Sequence, residues 1–289
     1  MNNRDKQLSS SHHILPTYNA ANCIEHAIRS VIDQAYPNLE FIIIDGGSRD
    51  RPIEIIKKYE AHIYYWVSEP DQGIYDAMNK GLAVATGDWI YFLGSDDALA
   101  PNVLSELFIN QDTSAYQFIY GNVVFRQSGQ AYGRAYSFEW LATRVICHQA
   151  IFARKALFDK YGPFSLRYPA CADYAWMIAA FADNPARNLY LNQVIAHYDE
   201  EGFSNEYIDK NFLNDKDLLC REYLKLPAQH EEYLSVIGKR GLEHLKKRHY
   251  RQAFYNLWPV LQKAPNKMYW IKASLYWLKQ SIIHKPLDA

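Results

Sequence analysis

Two adjacent carboxylates, Asp96 and Asp97, follow the apolar run Trp89 to Leu93, which is typical of a buried strand. Two like charges held this close need a compensating charge. A divalent cation supplies one, and Mg²⁺ or Mn²⁺ takes its oxygen ligands from one or two carboxylates and from substrate phosphates. The doublet therefore predicts a metal site that also binds a diphosphate. A second interpretation stays open, in which the pair is exposed and caps a helix near Pro101.

Two other polar clusters also follow predicted strands. They are Pro16-Thr17-Tyr18-Asn19 and Asp45-Gly46-Gly47-Ser48. In an open parallel sheet, the carboxyl ends of the strands lie at one edge, where loop amides and helix amino ends converge on a ligand. Any one of these clusters alone is also what a plain turn contains. Three clusters at one sheet edge predict a ligand site.

The elements that must position these residues follow from hydrophobic periodicity. The first hundred residues alternate apolar runs with helix-period segments, the pattern of a parallel sheet covered by helices. The predicted elements are strand His13 to Leu15, helix Ala20 to Ala35, strand Leu39 to Ile44, a helix opened by Pro52, strand Ile63 to Val67, helix Ile74 to Ala85 and strand Trp89 to Leu93. Further along are strands Phe118 to Phe125 and Val145 to Phe152, helix Ala172 to Phe181, and a helical pattern from Phe203 to the end.

Composition restricts the class of protein. The chain has 289 residues, of which 49% are hydrophobic and 22% are charged, so it can bury a globular core. Its 31 basic and 32 acidic residues nearly cancel, which argues against a nucleic-acid partner. Four widely spaced cysteines predict a reduced interior. The polar segment Met1 to His13 lacks a secretory core, and no apolar run reaches the roughly 18 residues of a membrane span, so we expect a cytoplasmic protein.

A longer series of motifs surrounds the polar clusters. It comprises Pro16 to Asn19, Ile43 to Ser48, Glu69 to Gly81, and Ala85 to Asp88 leading to Ser95-Asp96-Asp97. In order, spacing and strand context, this series resembles the family 2 glycosyltransferases. The likeness is close from Ile14 to Asp97 and continues more weakly, through His148-Gln149 and Cys171-Ala172-Asp173-Tyr174, to about Ser204.

The resemblance implies a fold and a division of the chain. The fold is α/β of the GT-A type, with a Rossmann-like, mostly parallel sheet and flanking helices, to which the periodicity adds a helical carboxyl-terminal tail. We expect a catalytic domain over residues 1–204, with a nucleotide-binding half at about 14–97 and an acceptor half at about 98–204. Residues 205–289 form the helical region.

The resemblance also implies a donor site. Thr17 and Tyr18, with Asn19 beside them, would line the base and ribose pocket, and Asp45 would accept a hydrogen bond from the base. Uracil offers an N–H group for that bond, so a UDP-sugar is the favoured donor. Asp96 would contact the ribose or the metal, and Asp97 would be the direct metal ligand.

Asp173 matches the catalytic base of the family, although Ala172 stands where an acidic residue commonly precedes it. A carboxylate there would take the proton of an acceptor hydroxyl while the oxygen attacks the anomeric carbon, and direct displacement would invert the configuration. The metal would stabilise the departing diphosphate. A plain helix cap is the alternative role for Asp173.

Other candidates depart from the family pattern or are less specific. Met78 replaces an Arg that often touches the donor, so phosphate contact would fall to Lys80, to backbone amides or to the metal. Asp76 and Asn79 are candidate donor contacts. His148 and Gln149 are candidate contacts of the acceptor or the donor, or else a buried structural pair. His197 is a candidate third metal ligand, and Glu201 to Ser204 is a candidate loop near the acceptor. The polar entry Ser9 to His13 should weaken the first strand.

The end of the chain is basic and aromatic. From Gly238 onward there are 11 Lys and Arg against 2 Asp and Glu, a net charge of +9, which leaves −10 on the rest of the chain. Trp, Tyr and Lys together favour the boundary between membrane and water. One hypothesis is that this tail lies on an anionic inner-membrane surface that presents a lipid-linked acceptor. The other is a helical hairpin that packs on the catalytic domain or on a second subunit.

We therefore predict a metal-dependent, inverting hexosyl- or N-acetylhexosaminyl-transferase that moves a sugar to a glycan or lipid-linked acceptor in surface polysaccharide synthesis. One alternative is a sugar-phosphate nucleotidyltransferase. That enzyme class usually needs a Gly-rich loop with Arg or Lys, and none occurs between Ile14 and Glu25. The other alternative is an interaction protein that kept the fold without the activity.

Overall fold

The computed structural model describes residues 9–199, 209–226, 231–264 and 266–283. It divides into two compact units, Met1–Ala135 with Ile146–Phe212 and Tyr136–Val145 with Leu213–Ala289. The first unit holds the sheet and the second is helical. The predicted domain boundary after residue 204 stays a prediction.

The strands of the first unit pair into one sheet. They are β1 (Ser11–Thr17), β2 (Leu39–Asp45), β3 (Tyr65–Ser68), β4 (Trp89–Phe92), β5 (Ala98–Leu99), β6 (Phe118–Phe125), β7 (Ala131–Tyr132), β8 (Ile151–Arg154) and β9 (Asn188–Tyr198). The order is β3-β2-β1-β4-β8-β6-β9-β5, and β7 pairs with β6. β3, β2, β1 and β4 are mutually parallel, whereas β8 runs antiparallel to both neighbours. The carboxyl ends of the parallel strands therefore share one edge, as predicted.

The helices flank the sheet or build the second unit. Those that flank the sheet are α1 (Ile24–Ile32), α2 (Pro52–Lys58), α3 (Ile74–Val84), α4 (Val103–Phe108), α6 (Lys155–Tyr161) and α7 (Ala172–Asp183). The others are α5 (Phe138–Thr143), α8 (Lys210–Tyr223), α9 (Glu231–Lys246), α10 (Tyr250–Lys263) and α11 (Lys267–Ile283). The helical tail is thus confirmed over the described residues. No helix among those residues is both long enough and apolar enough to cross a membrane.

β1 is longer than its polar entry predicts. It pairs with β2 on one side and β4 on the other, and Ile14 and Leu15 are fully buried. The ring of His13 packs on Tyr91 at 4.7 Å between centroids, and His12 Nδ1 lies 3.0 Å from Glu40. The histidines therefore act as core side chains, and the strand begins at Ser11.

α3 lies on β1 and β2 and carries part of the motif that follows β3. Its buried face includes Tyr75, Met78 and Gly81. A Cβ atom on Gly81 would lie 2.4 Å from Ile14 Cγ2, so glycine is needed for this close approach of helix to sheet. The packing fixes the direction in which the polar side chains of α3 leave the helix.

The predicted strand Val145 to Phe152 is wrong in part. Only Ile151–Arg154 is a strand, and His148–Ala150 forms a 3₁₀ turn before it. An extended chain would point the side chains of residues 148 and 149 to opposite faces of the sheet. The turn gives both residues polar partners in the first unit. The expected loop Glu201 to Ser204 lies outside the described residues.

The second unit has a core between α9, α10 and α11. Leu242, Leu257, Val260 and Trp270 are among its buried side chains. A Cβ atom on Gly238 would lie 2.5 Å from the Trp270 ring, so α11 can lie close to α9 only at a glycine. This core is separate from the core of the sheet.

Candidate active site

The ends of β1 and β2 form one side of the site. Thr17 pairs in register with Asp45, and both side chains are buried. The Thr17 hydroxyl has no hydrogen-bond partner among the described residues. A buried polar atom normally has a partner, so this hydroxyl is available to a ligand.

Asp45 is held by its own loop and by the next strand. Its Oδ1 accepts a hydrogen bond from Ser48 Oγ at 2.5 Å, and its Oδ2 accepts from Ser68 Oγ at 2.5 Å and from Ser48 N at 3.1 Å. Oδ2 thus accepts two hydrogen bonds, and Oδ1 accepts one and retains a further lone pair. The role of Asp45 in reading the base stays a prediction.

The loops after β1 and β2 are joined through Asn19. Its amide N–H donates to Ser48 Oγ at 2.7 Å, and its side-chain oxygen accepts from Arg49 N at 2.9 Å. Asn19 has a positive φ of 50°, which Asn tolerates better than most residues. Tyr18, beside it, is 58% exposed and presents an aromatic surface at the edge of the sheet. Asn19 therefore orders the loop that carries Tyr18.

The segment after β3 closes over the same edge. Asp71 accepts a hydrogen bond from Gly73 N at 2.8 Å, and its Oδ2 would lie 2.3 Å from a Cβ atom on Gly46. Gly46 thus makes room for Asp71. Burial raises the pKa of Asp71 above its usual value.

Three polar residues of α3 are engaged with protein groups. Lys80 lies 2.9 Å from Glu69 and 3.7 Å from Asp76, so its charge is already balanced. Asn79 donates to Phe164 O and accepts from Phe164 N, each at 2.8 Å. This pair of bonds anchors the loop before α7, which is a structural role that the sequence did not predict for Asn79. The donor contacts expected of Asp76, Asn79 and Lys80 stay predictions.

The acidic doublet follows β4 and turns inward. Asp97 is 1% exposed, and its Oδ2 accepts a hydrogen bond from Gln149 Nε2 at 2.6 Å. Its Oδ1 accepts from Asp199 N at 2.8 Å. Burial and the charge of Asp96 raise the pKa of Asp97 to about 6. Asp96 is more exposed than Asp97, and the doublet does not cap a helix.

Asp173 stands in the first turn of α7, and its side chain is 14% exposed. Its Oδ1 accepts a hydrogen bond from the Tyr75 hydroxyl at 2.6 Å, and its Oδ2 lies 3.2 Å from His148 Nδ1. Burial alone would raise the pKa of Asp173. The hydrogen bond and charge of His148 and the hydrogen bond of Tyr75 outweigh burial, so the pKa lies below its usual value. The carboxylate is therefore ionised and oriented from two sides.

The consecutive pair His148 and Gln149 links Asp173 to the doublet. His148 contacts Asp173, and Gln149 contacts Asp97. Burial lowers the pKa of His148, but Asp173 and the doublet reverse that effect and raise it. His148 Nε2 is buried and has no hydrogen-bond partner within the described part of the chain. The structure thus brings the predicted base and the predicted metal site into one polar cluster.

Among the described residues, no group of three or more His, Cys, Asp and Glu side chains is arranged to hold a metal. His197 lies on β9 opposite Ala98, the residue that follows Asp97. The doublet still fits a hard cation, because carboxylate oxygens are the donors that such a cation prefers. A cation would also offset the unfavourable free energy of a charged Asp97 that is buried beside Asp96, which raises the pKa of Asp97. The remaining ligands would then come from the diphosphate.

Sequence reasoning missed three residues: Tyr75 and Asp199 of this cluster, and Asp71 beside Gly46. Tyr75 and Asp71 lie within the motif Glu69 to Gly81, so the motif was found without the role of each side chain. Asp199 takes part through its backbone N–H, which any residue except proline could supply. No residue type marks such a contact in a sequence.

Comparison with known proteins agrees with this geometry. The model of glycosyl transferase family 2 matches residues 13–174. A PGL/p-HBAD biosynthesis glycosyltransferase of Mycobacterium bovis is 35% identical over 221 residues, which cover 74% of this chain and 86% of the relative. An uncharacterized glycosyltransferase of Haemophilus influenzae is 40% identical over 96 residues, 32% of this chain and 38% of that protein.

Solved structures share the fold at low identity. S. aureus TarS 1-349 superposes with a TM-score of 0.69 at 16% identity, covering 96% of this chain and 93% of TarS 1-349. The mannosyltransferase PcManGT from Pyrobaculum calidifontis, in complex with GDP-Man and Mn²⁺, superposes with a TM-score of 0.57 at 14% identity, covering 97% and 77%. These likenesses confirm the predicted GT-A fold. On the match to the family model and the mycobacterial relatives, the chain belongs to glycosyl transferase family 2.

Proposed function

We propose that this glycosyltransferase moves one hexosyl or N-acetylhexosaminyl group from a UDP-sugar to a hydroxyl of a glycan or lipid-linked acceptor, with inversion at the anomeric carbon. The reaction would serve surface polysaccharide or glycolipid synthesis on the cytoplasmic side of the membrane. The single observation that carries the proposal is the contact of His148 with Asp173 beside the contact of Gln149 with Asp97. It joins a candidate base to a candidate diphosphate site.

The relatives support the substrate classes. The mycobacterial relative is named for PGL/p-HBAD biosynthesis. TarS has been solved with UDP and with UDP-GlcNAc, and PcManGT with GDP-Man and Mn²⁺. A UDP-sugar and a divalent cation are therefore the first donor and cofactor to test, and GDP-mannose is the alternative donor.

In the proposed reaction, Asp173 takes the proton of the acceptor hydroxyl. The acceptor oxygen forms a bond to the anomeric carbon while the bond from that carbon to the phosphate oxygen breaks. The nucleoside diphosphate leaves with the electron pair. Because attack and departure occur on opposite faces, an α-linked donor gives a β-linked product.

Tyr75 and His148 position the base. Each donates to a different oxygen of Asp173, so the plane of the carboxylate is fixed before the acceptor arrives. Their hydrogen bonds also hold the pKa of Asp173 low, so the group is ready to accept a proton at neutral pH. His148 Nε2, which is buried and unpartnered among the described residues, offers the substrate an acceptor when the imidazole is neutral and a donor when it is protonated.

Asp96 and Asp97 are the proposed ligands of Mn²⁺ or Mg²⁺, and His197 is the remaining protein candidate. When bound, the cation supplies charge stabilisation to the leaving diphosphate. Gln149 and the Asp199 N–H keep Asp97 oriented, and each Asp97 oxygen retains a further lone pair. The buried, unpartnered Thr17 hydroxyl and the exposed Tyr18 ring are the proposed contacts of the nucleoside.

An assay of released UDP or GDP tests the proposal. The full chain is incubated with UDP-glucose, UDP-galactose, UDP-GlcNAc or GDP-mannose, with and without Mn²⁺, and NMR then gives the anomeric configuration of any product. Asp173→Asn should lose at least about 100-fold in transfer, the lower range for a general base, and keep its thermal shift with the donor. Asp159→Asn is the matched control, because Asp159 is an exposed surface acid.

The outcomes separate the competing functions. Full transfer by Asp173→Asn rejects Asp173 as the base. Pyrophosphate release from a nucleoside triphosphate and a sugar phosphate would favour a nucleotidyltransferase instead. Donor binding without turnover on any acceptor would favour an interaction protein that kept the fold.

A further inference from the structure

The second unit exposes a row of aromatic side chains on α10. Ala253, Leu257 and Val260 are buried in its core, whereas Phe254 is 57% and Trp258 is 50% exposed. Tyr250, Phe254 and Trp258 are spaced by four residues, so they form one row of about 12 Å along the helix. The Phe254 and Trp258 rings stack at 5.5 Å between centroids. The core of the unit does not use this row.

α11 repeats the pattern on a longer helix. Trp270 and Ser274 are buried, and the exposed side carries Tyr269, Lys272, Tyr276 and Lys279 at spacings of three, four and three residues. Met268 and Leu275 are 64% and 60% exposed next to that row. Clusters of exposed apolar side chains on a protein surface mark interaction sites.

The charge of the tail identifies the partner chemistry. Residues 238–289 have a net charge of +9, while the rest of the chain has −10. Exposed cations, including Arg251, Lys272 and Lys279, lie on the same helices as the aromatic rows. Cations close to an anionic lipid surface strengthen its binding, and Trp and Tyr favour the depth of the headgroups. Leu and Met chains can enter the acyl boundary below.

We propose that this aromatic and cationic face of α10 and α11 docks on an anionic lipid surface. Two copies docked through this same face would bring +9 against +9, which opposes a symmetric pairing of the two tails. A nucleic acid would match the charge but would leave the exposed Met and Leu side chains in water. The lipid surface is the occupant that satisfies both the charge and the apolar side chains.

Vesicle flotation of the full chain tests the proposal. The probes are phosphatidylcholine vesicles, alone or with one third phosphatidylglycerol. The wild type should float with the anionic vesicles, remain unbound with phosphatidylcholine alone, and detach in 0.5 M salt. Phe254→Ser with Trp258→Ser should lower the bound fraction more than tenfold. Leu213→Ser with Leu218→Ser, exposed positions on α8, is the matched control and should float like the wild type.

Several results would overturn the proposal. The proposal is wrong if the wild type does not float with anionic vesicles, or if the double aromatic variant still floats. It is also wrong if the control variant loses as much of its vesicle-bound fraction as the aromatic variant does. A wild-type dimer that the aromatic variant converts to monomer, without vesicle binding, would assign the face to a second copy. Binding to duplex DNA but not to vesicles would assign it to nucleic acid. Thermal shift with UDP is read in parallel, so failure of docking is distinguishable from failure of the catalytic proposal.

Discussion

His13 is a buried, neutral histidine in β1, and its burial predicts a loss of stability in acid. Burial, with a smaller effect of His12, lowers the pKa of His13 to about 3 from an ordinary value of 6.5. At a pH between these two pKa values, His13 is protonated in the unfolded chain and neutral in the folded chain. The stabilisation is therefore complete above about pH 6.5 and is lost as the pH falls toward 3.

The size of the effect follows from the two pKa values. At pH 5 the unfolded histidine is about 97% protonated, and the folded one is almost entirely neutral. Protonation then favours the unfolded chain by a factor of roughly 30, which is about 2 kcal/mol at 25 °C. At pH 3 the same calculation gives about 4 kcal/mol, a large share of the stability of an ordinary domain.

The comparison is between the wild type and His13→Leu, which is similar in volume and does not titrate. Hydrogen exchange of the β1 amides at pH 7 and pH 5, corrected for intrinsic rates, gives the opening free energy of the sheet without contribution from the helical unit. The wild type should lose about 2 kcal/mol more than the variant between the two pH values. The raised pKa of Asp97 has the opposite effect, because it stabilises the folded chain as the pH falls. Asp97 is present in both proteins, so its effect cancels when their changes in opening free energy are subtracted. Equal losses in the two proteins would refute the burial argument.

Three further outcomes concern catalysis. Tyr75→Phe should cost about fivefold in kcat, the worth of one hydrogen bond, and should move the acid limb of the pH profile upward, because the lost donor favoured ionised Asp173. An unmoved profile would reject Tyr75 as a positioning residue. Gly94→Ala should weaken UDP binding in calorimetry by about 1–3 kcal/mol, because its Cβ atom would lie 2.4 Å from Asp97 Oδ2; unchanged affinity would contradict this. EDTA should abolish sugar transfer and Mn²⁺ restore it, and transfer that persists in EDTA argues against the cation.

The parallel sheet could be predicted because its signals are local. The run from Leu39 to Ile44 is apolar on both faces except at Glu40, as expected of a buried strand. The observed strand β2 begins at Leu39, as predicted, and is one residue longer, ending at Asp45. α3 begins at the predicted Ile74 and ends one residue early. Apolar runs bounded by turn residues also gave β4 and β6. In each case, the burial pattern of a single element decides its structure.

The turn before β8 could not be predicted in the same way. Residues 145–152 have the apolar content of a strand, and only the polar partners of His148 and Gln149 favour the 3₁₀ turn. Those partners, Asp173 and Asp97, are distant in sequence, and the Tyr75 contact with Asp173 spans 98 residues. Periodicity carries no information about pairs that meet only in the folded chain. The identity of each candidate was readable from the sequence, but its partner was not.

The 3₁₀ turn explains how one short segment can order both halves of the site. Gln149 donates to Asp97 and His148 contacts Asp173, so any displacement of the turn moves both contacts together. Burial and, after it, the charge of Asp96 disfavour the ionised form of Asp97 and raise its pKa. A cation at the proposed metal site would stabilise the ionised doublet and would offset the attraction that the doublet exerts on protonated His148. Because His148 also contacts Asp173, a ligand at the proposed metal site would act on the proposed base through this one turn.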